Sequence, residues 1–160
     1  MSPSRPAIEY YWEDLPVGTC MAFGAALVTP EAALAFAREF DPQPFHLDEA
    51  AAAASLFGRL STSGWHTGAL TMRMTVDHLL CRAASLGSPG VENLRWLKPV
   101  YHGDTLSVRF EVIESRPSKS RPRVGLLRSQ WSTLNQHGDV VMTMQGWGMF
   151  ERRVPAAAGA

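Results

Sequence analysis

Asp41-Pro42-Gln43-Pro44-Phe45-His46 is the stretch around which the chain is organised. One helix is predicted to end just before it and another to start just after it. Pro42 disfavours the α region for Asp41, so the preceding helix stops near Phe40, and Pro44 acts likewise on Gln43. Fully extended, the segment would hold Asp41 and His46 about 15 Å apart, at roughly 3 Å per residue. Joint acid–base work by the two therefore requires the segment to curl. Taken alone, the six residues also read as a Pro-rich turn with Asp41 as a cap and His46 on the surface.

Upstream, Thr29-Pro30-Glu31 opens a helix, with Thr as N-cap, Pro at the first position and an acid in the first turn. Cys20 to Val28 reads as a strand, weakened by Gly24, and residues 1–9 as an unanchored arm. Downstream, Asp48 can cap an alanine-rich helix from Glu49 to Ser55. Ser61-Thr62-Ser63-Gly64 is small, polar and able to approach a ligand closely. The longest helical pattern runs from Trp65 to about Leu86. Trp65, Ala69, Met72, Val76, Leu79 and Ala83 recur at helical spacing, and Leu70, Met74 and Leu80 widen that stripe. Arg73 and Asp77 pair at i,i+4 on another face. Such a helix spans roughly 33 Å and needs a sheet wrapped around it.

The remainder supplies that sheet. Strands are predicted at Val91 to Val100, around Leu106 to Val112, at Val124 to Leu134 and at Val140 to Phe150. Tyr101-His102-Gly103-Asp104 and Gln136-His137-Gly138-Asp139 are the turns, Ser115 to Arg123 is a basic loop, and 154–160 reads as disordered. The fold class is α+β: one domain over residues 1–160, with its core at about 11–152.

Composition excludes several classes. The 160 residues carry 46% hydrophobic and 19% charged side chains, in the soluble globular range. Zero formal net charge argues against a nucleic-acid partner and removes a general pull toward anionic membranes. No apolar run is long enough for a membrane span, and the N-terminus lacks the apolar core of a signal peptide. Cys20 and Cys81 cannot build a disulfide framework. A reduced cytoplasm fits, with both as small buried hydrophobes. No CxxC, HExxH or Gly-rich phosphate loop suggests a metal or nucleotide site, so no cofactor is expected.

In this order of elements, the chain resembles the hot-dog fold and, within it, the MaoC-like dehydratases, the (R)-specific enoyl-CoA hydratase group. Phe36-Ala37 followed by Asp41-x-x-Pro44-x-His46-x-Asp48 matches the hydratase motif. Ser63-Gly64 matches the Gly whose N–H serves that family as an oxyanion donor. Leu97-x-Pro99-Val100-x-x-Gly103-Asp104 matches its strand-and-turn signature. There are departures: Phe40 stands where the family usually has Gly, Gln43 where it has Asn, Ser63 where His is frequent, and Pro42 follows the acid directly. The resemblance implies a hydro-lyase for α,β-unsaturated or 3-hydroxyacyl thioesters, with coenzyme A entering only as part of the substrate. It also implies a homodimer, or a larger dimer-based assembly, with the acyl site at the interface.

Such chemistry needs a held water, an acid, a base and a stabiliser for the enolate-like intermediate. Asp41 and His46 could hold the water, and Gly64 N–H the thioester oxygen. Ser63, Trp65, His66 and Phe45 are the accompanying substrate-binding candidates. Asp41 at a helix C-terminus is expected to have a raised pKa, and His46 ahead of a helix N-terminus a disfavoured imidazolium. His78 is expected at solvent or a subunit contact, and His102 and His137 in solvated turns. Arg116, Lys119, Arg121 and Arg123 could meet coenzyme A phosphates or form a solvated loop. Two other functions compete. A hot-dog thioesterase would want a carboxylate early in the long helix, where the first acid is Asp77. A non-catalytic acyl-CoA binder would have no need of the Asp41/His46 pair.

Overall fold

Alternating apolar residues decide the architecture. In the computed structural model, which describes residues 7–154, Leu106, Val108, Phe110 and Val112 point inward from one strand and are all buried. That strand, β3 (Thr105–Pro117), joins β1 (Cys20–Leu27), β2 (Ser85–Trp96), β4 (Val124–Leu134) and β5 (Val140–Glu151) in a sheet ordered β1-β3-β4-β5-β2. All the pairings are antiparallel. Helices α1 (Pro30–Phe40), α2 (Pro44–Leu47), α3 (Glu49–Ala53) and α4 (Gly64–His78) lie between β1 and β2 in sequence. The central helix α4 packs on β1 and β3. Each Val, Leu or Phe buried under it contributes about 1.5–3 kcal/mol. Gly24, at φ +85, lets β1 bulge there, and the Met74 side chain of α4 occupies the space a Cβ would take. The helix thus comes down onto the sheet at a residue that only glycine suits.

Helix α4 ends at His78, well short of Leu86. Leu79 leaves the helical region, Leu80–Arg82 form a 3-10 turn, and β2 begins at Ser85. Sheet pairing captures this segment: Glu151 N–H donates to the Ala84 carbonyl, and Tyr10 bridges Ala83. Tertiary hydrogen bonds override the helical periodicity here. The N-terminal arm is also tied down where it is described, since Glu9 and Tyr10 N–H both donate to the Arg82 carbonyl. Residues 1–6 of that arm, and 155–160 of the tail, lie outside the described residues.

The faces of α4 follow the hydrophobic reading only in part: Met74 is buried in the core and Leu70 packs against it, but the rest of the stripe on the helix turns outward. Trp65, Met72 and Val76 are 59%, 40% and 37% exposed, whereas His66, Thr67, Thr71 and Thr75 are buried. The threonines satisfy themselves. Thr71 Oγ1 donates to the Thr67 carbonyl at 2.9 Å and Thr75 Oγ1 to the Thr71 carbonyl at 2.8 Å. With its hydroxyl turned back on the helix, each threonine can present a methyl group to the sheet. Thr71 also meets Thr133 of β4, oxygen to oxygen at 2.7 Å. Cys20 is exposed and Cys81 half-buried, so neither is the buried core residue expected. No helix among the described residues is long and apolar enough to cross a membrane.

Candidate active site

The Asp41–His46 stretch curls through two local hydrogen bonds. Asp41 N–H still donates to the Ala37 carbonyl, closing α1. Gln43 N–H then donates back to the Asp41 carbonyl at 2.8 Å, a γ-turn centred on Pro42, whose fixed φ suits the inverse form. Pro44 next takes the first position of α2, where its missing N–H costs nothing. The stretch is therefore not free of helix. One helical turn starts inside it and carries His46 back toward Asp41.

Asp41 Oδ2 and His46 Nε2 lie 3.4 Å apart, closer than the roughly 4–6 Å expected for two groups sharing a water. His46 is buried, and its Nδ1 sits 2.9 Å from the Ser61 carbonyl. A carbonyl only accepts, so Nδ1 carries the proton and Nε2 is the ring atom turned to Asp41. Asp41 Oδ2 accepts from Ser63 Oγ at 2.6 Å, and Oδ1 from Gln43 Nε2 at 2.7 Å. Burial alone would raise the Asp41 pKa. The Ser63 and Gln43 hydrogen bonds, helped by the neighbouring His46, outweigh it and hold the carboxyl below its usual value. The raise expected from the end of α1 is thus overturned by direct donors.

Both residues open into a cavity of about 370 Å³, lined also by Phe45, Phe57, Gly64, Trp65, Thr67, Trp96 and Val141. Phe45 packs edge-on against the His46 ring, with centroids 4.7 Å apart. Gly64 is the first residue of α4, and its N–H has no acceptor assigned among the described residues. Ser63 is the N-cap of the same helix and also accepts from Trp65 N–H at 3.2 Å. Asp41, Phe45, His46, Gly64 and Trp65 thus line one space, with Ser63 bonded to it from behind.

His66 does not reach the cavity. It is buried on the other side of Thr62, with Nδ1 2.6 Å from Thr62 Oγ1 and its ring stacked on Phe36. Burial, then the nearby His102, holds its pKa below the ordinary value. His102 is not fully solvated either: its Nε2 is buried with no hydrogen-bond partner among the described residues. Burial lowers its pKa and His46 adds to that, with Glu31 opposing. The basic segment is not part of the cavity lining: Arg116, Lys119, Arg121 and Arg123 all lie outside it, from the end of β3 to just before β4. Arg116 there lies 4.9 Å over the Trp147 ring. Among the described residues no group of three or more His, Cys, Asp or Glu side chains is arranged to hold a metal ion.

Sequence reasoning missed Phe57, Thr67 and Trp96. Only Trp96 left a trace, since it directly precedes the Leu97-x-Pro99-Val100 signature. Nothing in the spacing places it opposite Gly64.

Comparison with known proteins adds the family context. A family profile described as MaoC like domain matches residues 17–130. The fold is similar to the crystal structure of a MaoC-like dehydratase from Rhodospirillum rubrum. The TM-score is 0.84 at 46% identity, covering 91% of this chain and 99% of that one. It is also similar to an unliganded (R)-hydratase, PhaJ1, from Pseudomonas aeruginosa, with TM-score 0.72 and 26% identity over 94% of this chain and 91% of that one. YdeM of Bacillus subtilis (strain 168), an uncharacterised protein, is 27% identical over 124 residues, which is 78% of this chain and 86% of that protein.

Proposed function

The chain belongs to the MaoC-like family, and from that premise we propose that it is a hydratase/dehydratase of acyl thioesters, adding water across an α,β-unsaturated acyl-CoA or removing it from the 3-hydroxy form. The observation that carries this reading is the Asp41/His46 pair opening into one cavity beside the Gly64 amide. In the tautomer that keeps its proton at Nδ1, on the Ser61 carbonyl, His46 turns a lone pair at Nε2 toward Asp41, whose carboxyl is held below its usual pKa. Two acceptors of this kind suit a water that donates one hydrogen to each and turns its own lone pairs to the substrate. Two bonds of about 2.8 Å span acceptors about 4.4 Å apart, so the pair parts by roughly 1 Å to take the water in.

In the proposed reaction the C3–O bond forms as the pair takes one water proton. The electron pair of the C2=C3 double bond moves onto the thioester oxygen, where the Gly64 N–H and the positive end of α4 stabilise it. The pair then returns one proton to C2. All the atoms come from water and substrate, and no organic cofactor is needed.

The thioesterase reading loses support because the early turns of α4 hold no carboxylate. Asp77 lies near the far end of that helix, paired with Arg73 at 2.7 Å. We also propose a homodimer in the cytoplasm. The exposed Trp65, Met72 and Val76 of α4 and the exposed Val91 and Leu97 on and just after the edge strand β2 would be its contact surface. Parallel assays of crotonyl-CoA hydration and acyl-CoA hydrolysis test the function. Hydration without hydrolysis is expected, and the reverse result overturns the assignment.

A further inference from the structure

Trp96 lines the cavity beside the first turn of α4. It is the last residue of β2, paired with Met142 of β5, and the next residue, Leu97, donates its N–H to the Val141 carbonyl at 2.8 Å. The backbone carrying Trp96 is therefore fixed to the sheet. Its indole reaches across to the helix: Nε1–H donates to the Gly64 carbonyl at 2.9 Å. The ring lies so close over Gly64 that a Cβ there would come within 2.5 Å of the indole. Trp65 packs edge-on against the same ring at 5.1 Å.

The first turn of α4 is consequently held from two directions. Ser63 fixes it to Asp41 on one side. Trp96 ties it to β2 on the other. A carbonyl at the start of a helix already accepts from inside the helix, so a second donor is not needed for satisfaction. What the indole adds is a fixed orientation for the turn that carries the Gly64 N–H, which has no acceptor among the described residues. Electrostatic stabilisation of a developing oxyanion depends on a donor that is in place before the reaction.

We propose that Trp96 is a positioning residue for the thioester oxygen, holding the Gly64 amide on target through its Nε1–H···O=C bond. This rests on the hydratase reading for the reaction, but the positioning itself can be read without turnover. Trp96→Phe keeps an aromatic wall and removes the donor. Benzothienylalanine at position 96, introduced by codon suppression, keeps the indole outline without the N–H and serves where Phe packs poorly. Isotope-edited infrared spectra of bound butyryl-CoA, labelled with ¹³C at the thioester carbonyl, report the polarisation of that bond directly.

In the wild type the bound carbonyl band is expected at lower wavenumber than in free butyryl-CoA, and in both variants at least half of that shift is lost. Crotonyl-CoA hydration is expected to lose about tenfold in kcat, less than deletion of an oxyanion donor costs, with KM within twofold. An unchanged band, or kcat within twofold of wild type in the benzothienylalanine protein, overturns the proposal. A wild type that polarises the carbonyl through Trp96 but hydrates nothing retains the positioning role and removes the hydratase assignment.

Discussion

Ser63 Oγ donates to Asp41 Oδ2 at 2.6 Å, and this one bond ties the N-cap of α4 to the C-cap of α1. Ser63 is fully buried, and its removal takes one hydrogen-bond donor from the Asp41 carboxylate at the cavity wall. Asp41 is held below its usual pKa by Ser63 and then Gln43, against the opposing effect of burial. Its ionised form therefore persists in the fold to a lower pH than in the unfolded chain. The stability this brings is fully present above the unfolded pKa and is lost as pH falls through the folded one. Gln43→Ala should move the acid limb of the pH–rate profile upward while leaving the helix cap intact. Ser63→Ala should move it further and also lower the melting temperature, since an N-cap is worth about 1 kcal/mol. Acid limbs that coincide in all three proteins would mean that neither donor tunes Asp41.

Much of the fold was legible because it rests on period and punctuation. Thr29-Pro30 opens α1, Val124–Leu134 is a strand with the predicted ends, and the alternation from Leu106 to Val112 marks the inward face of β3. The central helix was half legible. Its start was read at Trp65, one residue inside the observed Gly64, but beside Met74 its inward face holds threonines whose hydroxyls bond back onto the helix, and hydrophobicity reads those positions as polar. At the site, Asp41, His46 and Gly64 could be named from motif order. Trp96 could not, because its contact with Gly64 joins residues 32 apart through a sheet edge and a helix start.

The exposed apolar residues of α4 lead to an assembly prediction. Trp65, Met72 and Val76 are too exposed for a lone protomer to need them apolar. Light scattering at micromolar concentration should give a dimer, and Met72→Asp combined with Val76→Asp should shift it toward monomer. A wild type that stays monomeric would leave this face without the proposed occupant.

His66 makes stability depend on pH in a definite direction. Burial, with His102 second, keeps its folded pKa below the ordinary value. As pH falls below the unfolded value of about 6.5, the unfolded chain takes up a proton that the folded one does not. Stability should therefore be level above about pH 7 and decline toward pH 5, by up to about 1.4 kcal/mol per pH unit for one such group. His66→Gln should make the dependence of the urea midpoint on pH shallower over that window, leaving the share that His102 contributes. An equally steep decline in the variant would place the titrating group elsewhere.

Neither cysteine lines the cavity: Cys20 lies on the edge strand β1, and Cys81 donates its thiol to the Asp77 carbonyl at 3.2 Å beyond the far end of α4. Replacing both with serine should leave kcat per folded protein within about twofold, far from the 10²-fold or more expected for loss of an acid–base group. A large loss with the fold intact would point to a thiol nucleophile and so to covalent thioester cleavage.

The sharpest prediction concerns the pair itself. Asp41→Asn preserves the shape of the side chain, so Ser63 and Gln43 can still be met by its oxygen or rotate to suit its amide, while the charge facing Nε2 is gone. His46→Ala removes the ring whose Nδ1 is anchored on the Ser61 carbonyl. If both act on one water, each substitution should lower kcat for crotonyl-CoA hydration by roughly 10²-fold or more. Groups that serve the same proton transfers are not additive, because removing either already disables the step. The double variant should therefore fall little below the worse single variant, and KM should change much less than kcat. Independent, fully additive losses would mean that the two residues serve separate steps. Near-wild-type hydration in Asp41→Asn would leave the 3.4 Å contact as a structural brace between α1 and α2, and an acyl-CoA-binding role would then account better for the cavity.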